Sequence, residues 1–246
     1  MKKLILGLLA GLTLLSIGTP RAHAVVTGFG DLALWTGTGP NQSGLVIQWN
    51  DSKSPSALAW GFNWTSAGTV NDMLLAVLSA DVRLFVRGDS AVDFGAAYFG
   101  FGYNNSGNFS VTGAVDQFGA AVTPVFIGGL SDMNTNPATT QSPTTSTSAG
   151  PLNPLDRYVE GWNDNGYWEL FTGTGPAYPG TWTSSMIGVG EALVNDRWYA
   201  LSFSNSDFSS IQPGSATAAI PEPSTTLLLV LAGGVFLYAR KRLHAH

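Results

Sequence analysis

From Val25 to Phe208 the chain is a succession of short β-branched and aromatic runs, each bounded by Gly, Asn, Asp or Ser. Such punctuation limits the elements to short strands joined by turns, and it predicts a mainly β domain, antiparallel and sandwich-like. The expected strands run from Leu45 to Trp49, Val82 to Val86, Tyr98 to Tyr103, Asn108 to Thr112, Tyr167 to Phe171 and Trp198 to Phe203. In the third, Phe99, Phe101 and Tyr103 alternate with Gly100 and Gly102, so three rings share one face and the other is nearly bare. Glycines so placed mark close backbone approach or a bulge.

One segment has a different period. Val70, Met73, Leu74, Val77 and Leu78 form an i, i+3, i+4, i+7, i+8 stripe, with Thr69 and Asp72 spaced as a capping box. They predict one short amphipathic helix from Val70 to Ala80, packed on a sheet. Residues 135–154 are Thr, Ser, Pro and Asn with hardly an apolar side chain, which reads as a flexible insertion within the domain. Residues 209–219 read as a linker. Two short echoes, TGTGP at Thr36–Pro40 and Thr172–Pro176 and WND at Trp49–Asp51 and Trp162–Asp164, come in opposite order and have no fixed period. Matching turn chemistry in two hairpins accounts for them.

The ends of the chain carry a different grammar. Lys2 and Lys3, the apolar run Leu4 to Ile17 and the small-x-small site Ala22-His23-Ala24 form a secretory signal peptide, residues 1–24, cut by signal peptidase between Ala24 and Val25. At the other end Pro221-Glu222-Pro223 precedes an apolar, charge-free run from Thr225 to Ala239, closed by Arg240-Lys241-Arg242. Its 15 residues would rise about 22 Å as a helix against a hydrocarbon core of about 30 Å. Snorkelling of Arg240 and Lys241 and local thinning make up the difference, and the basic cluster is expected to stay cytoplasmic.

The tail, residues 220–246, resembles the PEP-CTERM sorting domain, in which a Pro-Glu-Pro motif, a short transmembrane helix and an Arg-rich terminus follow in that order. The resemblance covers about a tenth of the chain. It implies recognition of Pro221, Glu222 and Pro223 by an exosortase-type processing enzyme, retention of the precursor in the inner membrane of a Gram-negative bacterium through Arg240, Lys241 and Arg242, and delivery of the ectodomain to the cell surface. Such tails accompany extracellular polysaccharide, which is the expected surrounding and a candidate partner. The terminal Leu-His-Ala-His departs slightly from tails that stop at the arginines. The stretch WNDSKSPSALAWGFNW, with GWNDNGYWELFTGTG downstream, also resembles an extracellular domain of secreted bacterial proteins, with which no activity is associated.

Composition narrows the chemistry. The ectodomain has five basic side chains, Lys53, Arg83, Arg87, Arg157 and Arg197, against fifteen acidic ones, a net charge of -10. That balance argues against nucleic acid, whose binding rests on clustered cations. There is no cysteine, and the three histidines, His23, His244 and His246, all lie outside the ectodomain. Ser-His-Asp machinery and His-ligated zinc are thereby removed, so Gly88-Asp89-Ser90, which resembles an esterase block, lacks its base. Asn163-Asp164-Asn165-Gly166 lacks the acidic first ligand of an EF-hand, because Gly161 stands there, although calcium held by carboxylate and carbonyl oxygens in another geometry stays open.

All eight tryptophans lie in the ectodomain. Indole faces beside Asn and Asp can hold sugar faces and hydroxyls. Trp49 with Asp51 and Trp162 with Asp164 are therefore the candidate ligand-binding residues, opposed by a reading in which each triplet is a strand end with a buried ring. The expected role is a non-enzymatic, structural or adhesive surface protein. The alternatives are a glycan-binding module using exposed Trp residues and a carboxylate-only hydrolase.

Overall fold

The computed structural model describes residues 25–92, 95–115, 119–124, 126, 130–132, 146–162, 165–204 and 209–220. The protein is mainly β with one α-helix among the described residues. A large sheet is built from β1 (Trp35–Gly37), β2 (Asn41–Gln48), β3 (Ala57–Trp64), β10 (Tyr167–Thr174), β11 (Thr183–Ser184) and β12 (Arg197–Ser204), in the order β1-β3-β2-β12-β10-β11. A seventh strand, β13 (Thr217–Ala218), lies beside β3. The second sheet has the order β7-β4-β5-β9, from β4 (Leu84–Val92), β5 (Gly95–Tyr103), β7 (Leu130–Asp132) and β9 (Arg157–Glu160). A small pair joins β6 (Val111–Thr112) to β8 (Gly150–Pro151).

The large sheet is apolar on both faces, which is why its central strands read as continuous runs and not as alternations. Leu45 and Ile47 of β2, Leu58, Trp60 and Phe62 of β3, and Tyr199 and Leu201 of β12 enter one core. The helix α1 (Val70–Ala80) adds its whole stripe to that core, and Val86, Phe101 and Tyr103 add the second sheet. On the opposite face Val46, Ala57, Ala59, Phe171, Trp198 and Ala200 pack against Val26, Phe29, Leu32, Trp182, Ala216 and Ala218. Gly44 and Gly61 make this packing close. A Cβ at Gly44 would stand 2.3 Å from the Trp198 ring, and one at Gly61 2.2 Å from the Trp35 ring.

The helix has the expected bounds, and its capping box is formed: the Thr69 hydroxyl accepts from the Asp72 amide and the Asp72 carboxylate accepts from the Thr69 amide. The ring-bearing face of β5 is buried, while Gly100 and Gly102 give room to Tyr158 and Phe109. Both TGTGP echoes fall where a strand ends, with Gly37, Gly39 and Gly175 at positive φ.

Four expectations need correction. The sheets are mixed and not wholly antiparallel: β1 with β3, β2 with β12, β3 with β13 and β4 with β7 are parallel pairs, although antiparallel pairs predominate among the described strands. Residues 209–219 are no linker, and the domain does not stop at residue 208, because β13 and the buried Ala216 complete the second core while Ala219 enters the first. The supposed insertion at 135–154 is structured in its described part, where Gly150 and Pro151 pair with β6. The strand expected from Val82 starts instead at Leu84, and Val82 sits exposed in a turn. The first 24 residues and the run 225–239 lie outside the described residues, among which no helix is long and apolar enough to cross a membrane.

Candidate functional site

The segment from Ser209 to Ile220 consists mostly of small and polar residues, so it has little side-chain area with which to bind itself to the sheet. It is stitched down by hydrogen bonds instead. The Ser210 hydroxyl donates to Glu169 Oε1 at 3.0 Å, the Ile211 amide to Ser204 Oγ at 3.3 Å, and the Gly214 amide to Gln48 Oε1 at 2.6 Å. Tyr178 donates its phenol to the Gly214 carbonyl at 2.6 Å. The Ala219 amide then reaches the Ala59 carbonyl at 2.9 Å.

Both ends of the described chain meet here. Val25 forms an antiparallel bridge with Thr217, and the Val26 amide donates to the Ala216 carbonyl at 2.9 Å. Farther along, the Arg83 guanidinium donates to the Ile220 carbonyl. Arg83 is aimed by the buried carboxylate of Asp81, which follows α1 and accepts from Arg83 Nε at 2.9 Å, Trp60 Nε1 at 3.0 Å and the Tyr103 hydroxyl at 3.1 Å. The guanidinium lies 5.0 Å above the Tyr103 ring. Charge and aromatic packing thus fix the cation that grips the last described residue before Pro221.

A crevice of about 60 Å³ opens beside it, lined by Leu58, Arg83, Tyr103, Asn105, Arg157 and Ile220. It is far smaller than the roughly 300–1,000 Å³ of small-molecule sites. Arg157 is buried there, 3.7 Å from Asp51 Oδ1 and with its guanidinium 5.1 Å from the Trp49 ring centre. Burial lowers its pKa, and the Asp51 charge opposes that shift.

The candidate ligand residues fare differently from the expectation. Trp49 is 0% exposed, and its indole donates to the Phe101 carbonyl at 2.9 Å, joining the two sheets. Its face is unavailable to a sugar. β2 ends at Gln48, Asn50 and Ser52 have positive φ, and Asp51 accepts from the Lys53 amide at 3.1 Å, so the first WND is a turn with a buried ring. Trp162 is half-buried and edge-on to Phe99 at 4.9 Å, and Asp164 lies outside the described residues. All eight tryptophans are buried or half-buried, with none exposed as a platform. Among the described residues no three acidic side chains gather to hold a metal.

No family model, curated protein or solved structure matches this chain.

A second polar centre, absent from the sequence-based expectations, lies in the smaller sheet. Arg87 Nη1 pairs with Glu160 Oε2 at 2.7 Å, and the Tyr158 hydroxyl donates to the same oxygen at 2.7 Å. Burial first, and the Glu160 charge second, hold the Tyr158 phenol well above its usual range. The unfolded chain therefore loses that proton first, and stability that is complete below about pH 10 falls as pH rises toward the folded value. The expected slope from Tyr158 is about 1.4 kcal/mol per pH unit. Tyr98, raised to about 12 by burial, and the half-buried Tyr178 and buried Tyr199, also raised, act in the same direction. Urea midpoints should hold to about pH 10 and fall from there toward about pH 12, and a flat profile across that range would contradict the shifts.

Proposed function

We propose that this protein is an exported surface or extracellular-matrix component. On this reading it is held in the inner membrane as a precursor by its C-terminal tail, released by an exosortase-type enzyme, and carries a domain of structural or adhesive role. One observation carries the reading beyond the sequence. Val25, the residue after the expected signal cleavage, is bridged to Thr217, and Ile220, the residue before Pro221, is held by Arg83, so both belong to the fold.

The signal peptide of residues 1–24 and the transmembrane helix of residues 225–239 belong to this proposal. The absence of histidine and cysteine from the ectodomain and the burial of its largest aromatic rings support a scaffold role over a catalytic one. Mass spectrometry of surface material is expected to recover peptides up to Ile220 and none from the run that starts at Leu227. Finding that run in released protein would refute processing, and finding the whole protein in the cytosol would refute export.

A further inference from the structure

The side of the domain from which the tail departs has a defined composition, and the reach of the chain beyond it is short. In an antiparallel bridge the N-terminal end of one strand lies beside the C-terminal end of the other. At the Val25–Thr217 bridge the bond that precedes Val25 therefore points the way the chain runs from Thr217 to Ile220. Both ends of the described chain thus run the same way at the edge of the large sheet, where β13 pairs with β3.

Around Ile220 three loops converge. Arg83 grips the Ile220 carbonyl, the Asn104 amide donates to the Arg83 carbonyl at 2.8 Å, and Asn105 Nδ2 donates to the Leu155 carbonyl at 3.0 Å. Val82 and Leu155 stand in these loops, each 66% exposed. The Lys53 amine is held there as well, by the carbonyls of Pro154 and Asp156. Lys53, Arg83 and Arg157 also lie on this side, each held within the fold, Arg83 by Asp81, Arg157 by Asp51 and the Lys53 amine by backbone carbonyls.

Resting on the tail-anchored precursor proposed above, we infer that this side faces the lipid headgroups of the outer leaflet of the inner membrane, with Val82 and Leu155 at the bilayer surface. Four residues, Pro221 to Ser224, separate Ile220 from the apolar run. They span at most about 14 Å when fully extended. Because Arg83 fixes Ile220 to the body of the domain, that reach limits the whole face and not merely a tether. Exposed apolar side chains at the point where the chain is anchored suit the bilayer surface. The opposite edge of the large sheet ends at β11, four strand spacings or roughly 19 Å from β3. Met186, 97% exposed, follows β11 there.

Since the chain has no cysteine, each introduced thiol is unique. The full precursor, with Val82→Cys, Leu155→Cys or Met186→Cys separately, is labelled with a fluorophore and reconstituted into phosphatidylcholine–phosphatidylglycerol vesicles containing headgroup-spin-labelled lipid. Quenching at positions 82 and 155 is expected to exceed that at 186 by at least about twofold, given the roughly 19 Å separation of the two edges. Equal quenching at all three, in protein that floats with the vesicles, overturns the orientation and leaves anchoring intact. Protein that does not float overturns the anchored precursor itself, and the orientation with it.

Discussion

Arg87→Ala is expected to lower the unfolding free energy by about 3–5 kcal/mol, because it strands a buried carboxylate. The Arg87 side chain is 3% exposed and that of Glu160 0%. With the guanidinium gone, Glu160 keeps only two neutral donors from this network, the Tyr158 hydroxyl on Oε2 and the Ser146 amide on Oε1 at 3.0 Å. Two hydrogen bonds do not replace a countercharge at low dielectric. The loss also reaches the loops, since Arg87 Nη2 donates to the Val115 carbonyl at 2.5 Å and Glu160 holds the chain at Ser146, on either side of the Ser/Thr/Pro-rich stretch. The double variant Arg87→Met with Glu160→Leu removes both charges and is expected to be much closer to the parent. Chemical denaturation of the three proteins tests this. A single variant within about 1 kcal/mol of the parent would mean that water reaches Glu160 and that the pair is not the anchor described.

That pair was not legible in the sequence, and the reason is physical. Arg87 and Glu160 are 73 residues apart and meet only because β4 and β9 flank β5. Sheet order depends on such distant pairings, so the parallel contact of β2 with β12 was equally invisible, although both strands were legible from their β-branched and aromatic runs. The helix could be read to its ends because everything that defines it, the stripe and the Thr69–Asp72 box, is local. Residues 209–220 went unread for the opposite reason. Their alanines, serines and glycine form no pattern, and their attachment comes from Gln48, Glu169, Tyr178 and Arg83, each supplied by another element. The order of residue types in the tail could be seen in the sequence, but the clasp that joins the tail to the fold could not.

The tryptophans show the same limit and lead to the second large effect, Trp49→Ala, expected to cost about 3–5 kcal/mol. An indole next to Asn and Asp looks alike in sequence whether it faces a ligand or a core, because both uses rest on flat apolar area with one polar tip. At Trp49 the tip decides it. Its N–H is directed at the Phe101 carbonyl in the opposite sheet, its edge meets the Tyr103 ring at 6.1 Å, and the Arg157 guanidinium covers it. Truncation to alanine opens a cavity between the sheets, leaves the Phe101 carbonyl without this donor and removes the ring that shields Arg157, and these losses compound at one place. Trp49→Phe separates the contributions, since it keeps most of the volume and drops only the donor, with an expected cost of about 1–3 kcal/mol. Against a total stability of about 5–15 kcal/mol for a domain, the alanine variant should be partly unfolded near physiological temperature. Denaturant titration followed by near-ultraviolet circular dichroism measures both variants. If Trp49→Ala kept the parental midpoint and instead lost binding to extracellular polysaccharide, the ring would be a ligand platform and its place in the core would be wrong.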